Sequence, residues 1–144
     1  MDELAQWLGK QLDEDERIAT EAGGRRGQWR LATGLDDAEM GDAYWLRPPY
    51  LKHVERHDPA RVLREIEVDR ELLAEYERLL RAHEAHRGEA DRMAREQDYD
   101  PTRVAALRRE ADYLPAMLHV LERWAKRKAA VYADRPGYDE SWRP

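Results

Sequence analysis

The sequence predicts a mainly α protein, built as a long antiparallel helical hairpin with an N-terminal helix and a small β-hairpin. Apolar residues recur at three- and four-residue steps along two long stretches, and the helix-starting pair Asp-Pro precedes both of them. The composition agrees, because 42% apolar and 39% charged residues suit amphipathic helices with charged outer faces. The chain has 144 residues, and we expect one helical domain over residues 1–144.

The N-terminal helix is predicted over residues 2–22. Gly23 and Gly24 should end it, because glycine readily takes the left-handed conformation found after helices. One face of this helix is apolar at helical spacing, and its members are Leu4, Trp7, Leu8, Leu12, Ile18 and Ala22.

Residues 25–49 lack the helical period and are predicted to form a β-hairpin insertion. Two short runs that contain aromatic residues flank a stretch rich in glycine and aspartate, which is the pattern of two strands joined by a turn. A lone hairpin is barely stable in water, so we expect Trp29, Tyr44 and Trp45 to pack against a helix. The proline pair at 48–49 should end the hairpin.

The first long helix is predicted to begin at Asp58-Pro59, with the aspartate as N-cap and the proline in the first turn. We expect it to end near Arg87-Gly88. Leu72 and Leu79 lie beside its main apolar seam and make the stripe wider than one neighbouring helix covers. The N-terminal helix is one candidate to cover this surplus. Where it does not, a second copy of the chain is the simplest partner, and a homodimer is slightly preferred because two-fold pairing is the commonest symmetry.

The second long helix is predicted to begin at Asp100-Pro101, with an apolar seam of nearly strict heptad spacing. Pro115 interrupts this seam, so we expect a kink or a split there. The two long helices should pack antiparallel, because both seams are apolar and their connection is short. Residues 132–144 are predicted to dock on the body, since Tyr138 and Trp142 are too apolar for a free tail.

Composition also excludes several classes of function. The chain has no cysteine, which removes disulfides, thiol nucleophiles and cysteine-ligated metal sites. No apolar run approaches 18 residues, so we expect no membrane span, and the start of the chain does not read as a signal peptide, which predicts the cytoplasm. A net charge of −6 argues against nucleic acid as a partner, although residues 123–128 are basic. We expect no cofactor.

His53 and His57 are the candidate metal ligands. They are four residues apart and would share one face of a helix, where with Asp58 they resemble half of a zinc or iron site. The spacing differs from the His-Glu-x-x-His of zinc proteases, and Asp58 is already the predicted cap. A structural role is therefore the first interpretation, and a metal-dependent enzyme built around His53 and His57 is the alternative.

Three segments carry a resemblance to a known family: residues 1–19, residues 53–66 with the motif HxxxHDPARVL, and residues 132–144 with the motif YADxPxYxxxWRP. On these segments the chain resembles a family of small actinobacterial proteins of unknown function. The resemblance implies an actinobacterial origin and brings no activity with it. The motif positions of the second segment are His53, His57, Asp58 and Arg61.

Together these observations predict a small cytoplasmic protein-interaction or adaptor module. No catalytic residue is predicted. The residues expected at its contacts are Leu72, Leu79, Trp29, Trp45, Tyr138 and Trp142.

Overall fold

The fold is known from a computed structural model, which describes residues 2–27, 48–97 and 99–144. Within these ranges the chain is mainly helical, as predicted, and forms no strand. No helix in the described part of the chain is long and apolar enough to cross a membrane. The helices are α1 (Glu3–Glu21), α2 (Pro48–Arg56), α3 (Pro59–Glu96) and α4 (Pro101–Ala130), and short 3-10 helices cover Gly24–Arg26 and Glu140–Trp142.

The chain divides into two compact units. The first contains Met1–Gln11 and Arg70–Pro144, and the second contains Leu12–Asp69. Helices α1 and α3 therefore each contribute residues to both units. All of α4 and the C-terminal segment belong to the first unit.

The N-terminal helix is confirmed, and Asp2 supplies its cap. One carboxylate oxygen of Asp2 accepts a hydrogen bond from the backbone N–H of Ala5 at 2.9 Å, which satisfies a free donor of the first turn. The predicted apolar face is correct for Leu4, Leu8 and Leu12, which are buried. It is wrong for Ile18, which is half exposed, and for Ala22, which is exposed and follows the last residue of the helix.

The β-hairpin predicted at residues 25–49 is wrong where the structure describes it. Gly24–Arg26 forms a 3-10 turn, and Pro48–Arg56 forms α2. The prolines start a helix instead of ending a strand, because the fixed φ and missing N–H of proline suit the first helical turn. The remaining residues of that prediction, 28–47, lie outside the described residues.

Helix α3 is longer than predicted, because it continues through Gly88 to Glu96. A glycine inside a helix costs about 1 kcal/mol relative to alanine. Two ion pairs of Arg92 favour the extension, with Glu89 at 2.6 Å and with Glu96 at 2.5 Å. Met93 is 5% exposed, so packing also holds these last turns.

Helix α4 begins at its predicted cap, where a carboxylate oxygen of Asp100 accepts from the backbone N–H of Arg103 at 2.9 Å. Of the two predicted alternatives at Pro115, the split does not occur, because one helix continues through it. Pro115 is exposed, so its ring meets water and not the core. The helix loses one backbone hydrogen bond there and continues.

In the first unit, α3 and α4 lie antiparallel. A ring nitrogen of His86 is 2.9 Å from the carbonyl oxygen of Leu107, which joins the two helices. Ten residues earlier on α3, Tyr76 interacts electrostatically with Glu122, fifteen residues later on α4. Residues nearer the start of α3 therefore face residues nearer the end of α4.

Candidate functional site

The motif residues around His53 form the corner between α2 and α3. The imidazole rings of His53 and His57 lie 4.6 Å apart, and both side chains are exposed. Asp58 caps α3 as predicted, because its carboxylate accepts from the backbone N–H of Arg61 at 2.8 Å. The Arg61 guanidinium donates to the carbonyl oxygen of Arg56 at 3.0 Å and to Glu65 at 2.7 Å. The motif thus holds one helix end against the next helix start.

Among the residues that the structure describes, this corner brings together two imidazoles and no third metal ligand. Across residues 2–27, 48–97 and 99–144, no three or more histidine or carboxylate side chains are grouped so that they could hold a metal ion. Asp58 is engaged by the backbone of α3, and Glu65 by Arg61. The chemistry that the corner shows is helix capping.

The side chains of Tyr138 and Trp142 pack against residues of the same chain, in an aromatic cluster around Trp7. The ring centroids of Trp7 lie 6.4 Å from Tyr132, 5.8 Å from Tyr138 and 5.3 Å from Trp142. The indole N–H of Trp7 also donates to the carbonyl oxygen of Pro136 at 3.1 Å. The segment that was predicted to dock therefore contacts α1 through this cluster.

The turn before Tyr138 depends on glycine. Gly137 has a φ of +83°, a conformation that L side chains rarely adopt. A Cβ at this position would also lie 3.0 Å from the indole nitrogen of Trp7. Just beyond the turn, Asp139 accepts from the backbone N–H of Ser141 at 2.8 Å, and this hydrogen bond lowers the pKa of Asp139.

The other four predicted contact residues are Leu72, Leu79, Trp29 and Trp45. Leu79 is 1% exposed within the single chain, so its side chain is not available to a partner. Leu72, seven residues earlier on α3, is only partly exposed. Trp29 and Trp45 lie outside the residues that the structure describes. The predicted contact set therefore does not come together as one surface in the described part of the chain.

A different surface, on α4, exposes large apolar side chains in a line. Tyr113, Met117, Val120 and Val131 are between 43% and 68% exposed, and Trp124 is partly exposed among them. Together with Ala106 and Glu110 before them and Arg127 among them, they follow strict steps of four and three along the helix. We call this set the α4 stripe, and its members are Ala106, Glu110, Tyr113, Met117, Val120, Trp124, Arg127 and Val131.

The α4 stripe is separate from the buried face of the same helix. Leu114, Ala125 and Ala129 form that buried face. At 3.6 residues per turn, the two faces are roughly a third of a turn apart. Helix α4 therefore has two apolar faces, one of which is buried within the chain.

The two ends of the stripe differ in shape and charge. Its first half lies at a groove between α3 and α4, where the small side chains of Ala82, Ala85 and Ala106 lie among charged ones, which include Arg78, Glu89 and Arg103. Glu110 stands in this half and Arg127 in the other. Neither of the two forms an ion pair with another residue that the structure describes. The stripe thus offers one negative and one positive group to whatever lies along it.

Sequence reasoning missed this surface, although its signal was present. The spacing of Tyr113, Met117, Val120 and Trp124 is as regular as that of the seam beside it. The heptad seam predicts one apolar face for this helix, and the exposed aromatic and aliphatic residues form a second face that the seam does not include.

Comparison with known proteins identifies one family. Residues 1–144 match the family described as a family of unknown function, DUF6221. No curated protein and no solved structure matches the chain.

Proposed function

The chain belongs to the DUF6221 family, and we propose that it is a cytoplasmic protein-interaction module that binds an amphipathic helix along the α4 stripe. The observation that carries this proposal is the line of exposed apolar side chains on α4. Surfaces of this kind favour a protein contact, because covering them removes apolar area from water. An actinobacterial origin is part of the proposal and rests on the motifs in residues 53–66 and 132–144.

The shape of the stripe favours a helix as the partner. From residue 106 on α4 to its C-cap residue Val131, the stripe extends for about 38 Å along one face. Its alternating steps of three and four residues are those of a coiled-coil seam, in which side chains of one helix fill holes on another. A loop or a small molecule would cover only part of this length.

The charges specify the partner further. A helix that lies along the stripe meets Glu110 in one half and Arg127 in the other. We therefore expect the partner to present a basic side chain to Glu110 and an acidic one to Arg127, with apolar residues at the intervening positions. Such complementarity sets the orientation and register of a helix pair.

The metal-dependent enzyme is the second candidate and has less support. It rests on two neighbouring exposed imidazoles, His53 and His57, whose described surroundings supply no third ligand. The zinc and iron content of the purified protein and of its His53→Ala and His57→Ala variants tests it.

Photo-crosslinking in the cells that make the protein tests the interaction module. Val120 is replaced by benzoylphenylalanine, and Val68, an equally accessible valine on α3, receives the same replacement as the control. We expect position 120 to form an adduct whose crosslinked peptide, mapped by mass spectrometry, belongs to an amphipathic helix. The proposal is wrong if position 120 yields no more adduct than position 68, or if its adducts map to no such helix.

A further inference from the structure

We infer that the helix bound by the α4 stripe is α4 of a second copy of this chain, packed antiparallel about a two-fold axis. The inference rests on the proposed function and identifies the helix that the α4 stripe binds. It replaces Leu72 and Leu79 with α4 as the surface of the predicted homodimer.

The stripe has a palindromic arrangement. Its steps along the chain run four, three, four, three, four, three and four, and the same order is read from either end. When two copies lie antiparallel, with the axis passing between residues 118 and 119, every stripe residue meets another stripe residue. The four kinds of layer are Ala106 with Val131, Glu110 with Arg127, Tyr113 with Trp124, and Met117 with Val120.

The charges select the antiparallel orientation. In that orientation Glu110 of each copy meets Arg127 of the other, so the interface gains two ion pairs of opposite charge. A parallel pair in register would instead place Glu110 against Glu110 and Arg127 against Arg127, and like charges in contact are unfavourable. The partner chemistry derived above, basic opposite Glu110 and acidic opposite Arg127, is therefore that of α4.

The remaining layers are apolar. Tyr113 and Trp124 of the two copies meet as an aromatic pair, and Met117 meets Val120 on either side of the axis. The large Trp124 and Val131 of the second copy reach the groove lined by Ala82, Ala85 and Ala106. The small Ala106 thus faces the larger Val131 of the other copy at each end of the interface.

Engineered disulfides test the register directly, since the chain contains no cysteine. Full-length Ala106→Cys and Val131→Cys proteins are mixed and oxidised mildly. We expect the disulfide between position 106 of one copy and position 131 of the other to predominate. The same oxidation of Ala106→Cys alone should leave it uncrosslinked, because the two copies of residue 106 lie at opposite ends of the interface. A crosslink as efficient in Ala106→Cys alone overturns the antiparallel arrangement.

Charge reversal tests the ion pairs. Glu110→Arg and Arg127→Glu should each raise the dimer dissociation constant about tenfold, and the double variant should restore it. Circular dichroism checks that every variant keeps its helix content. Single variants without effect, or a double variant as weak as the singles, overturn the inference.

The experiments distinguish a failure of the homodimer inference from a failure of the proposed helix-binding module. A chain that stays monomeric, while its position 120 crosslinks to an amphipathic helix of another protein, contradicts the second copy and supports the proposed module. Position 120 without any helical adduct contradicts both.

Discussion

Trp7 and Pro136 lie 129 residues apart in the chain, and the indole N–H of Trp7 donates a 3.1 Å hydrogen bond to the carbonyl oxygen of Pro136. This bond fixes the C-terminal segment to α1 at the point where the segment turns. Around it, Tyr132, Tyr138 and Trp142 place their rings against the same indole. The first unit is thus closed by contacts between its two chain ends.

Replacement of Trp7 should therefore destabilise the first unit. Trp7→Ala removes the ring at the centre of the aromatic cluster and should lower the free energy of unfolding by about 3 kcal/mol. Trp7→Phe keeps a ring but loses the indole N–H, and should cost less. Urea unfolding followed by circular dichroism measures both. If Trp7→Ala unfolds at the native urea midpoint, the C-terminal segment contributes nothing to stability.

Two glycines should respond to alanine in opposite directions. Gly137→Ala should lower the free energy of unfolding by about 1–2 kcal/mol, because its φ of +83° is left-handed and its Cβ would crowd Trp7. Gly88→Ala should raise it by about 1 kcal/mol, because Gly88 lies inside α3 with open space around it. Thermal unfolding of the pair measures both changes, and equal signs would contradict this account.

Asp58 should matter as a cap and not as a metal ligand. Asp58→Ala should lower the free energy of unfolding by about 1 kcal/mol, because the backbone N–H of Arg61 loses its acceptor. Asp100→Ala, at the equivalent cap of α4, provides the matched comparison.

The same protein preparations decide the metal question. Elemental mass spectrometry of the native protein, of His53→Ala and of His57→Ala should find no stoichiometric zinc or iron in any of them. Bound metal that either histidine variant loses would favour the enzyme alternative.

Stability should fall at high pH because of Tyr76. Burial raises the pKa of its hydroxyl, and the nearby carboxylates of Asp2 and Glu122 raise it further. The unfolded chain releases this proton above about pH 10 while the folded chain retains it. The free energy of unfolding should therefore drop by up to about 1.4 kcal/mol for each pH unit above that value, until the folded pKa is reached.

Tyr76→Phe isolates this effect. The difference in unfolding free energy between native protein and variant should be constant below pH 9 and should shrink as pH rises above 10. Urea unfolding at several alkaline pH values measures it. A difference that does not change with pH would show that Tyr76 titrates alike in both states.

The helix starts could be predicted from the sequence because they depend on neighbouring residues. The end of α3 and the burial of Leu79 could not, because they depend on contacts formed in the folded chain. Asp58 and Asp100 each cap a helix, because the carboxylate accepts a hydrogen bond from the backbone N–H three residues later. Such a contact depends only on the local sequence. Helix α3 continues past the end predicted at Gly88, and the ion pairs of Arg92 and the burial of Met93 favour this extension. Packing elsewhere in the chain decides the burial of Leu79, and no local pattern shows it.

The candidate site shows the same division. The spacing of the α4 stripe can be recognised in the sequence. The sequence does not separate two neighbouring apolar faces of one helix from a single wide face, because the two differ only in which residues the fold buries. Leu114 and Ala125 turn inward, and Tyr113 and Val120 are left exposed. Only that difference in exposure separates a core seam from a surface for a partner.

The solution mass of the full chain, measured by sedimentation equilibrium, tests the central claim most directly. The native protein should have twice the chain mass of 17.0 kDa, Val120→Glu should have the mass of one chain, and Val68→Glu, an exposed valine off the stripe, should stay dimeric. Circular dichroism should show all three equally helical. A native protein of 17.0 kDa at high micromolar concentration, or a Val120→Glu protein that remains dimeric, would contradict pairing through α4.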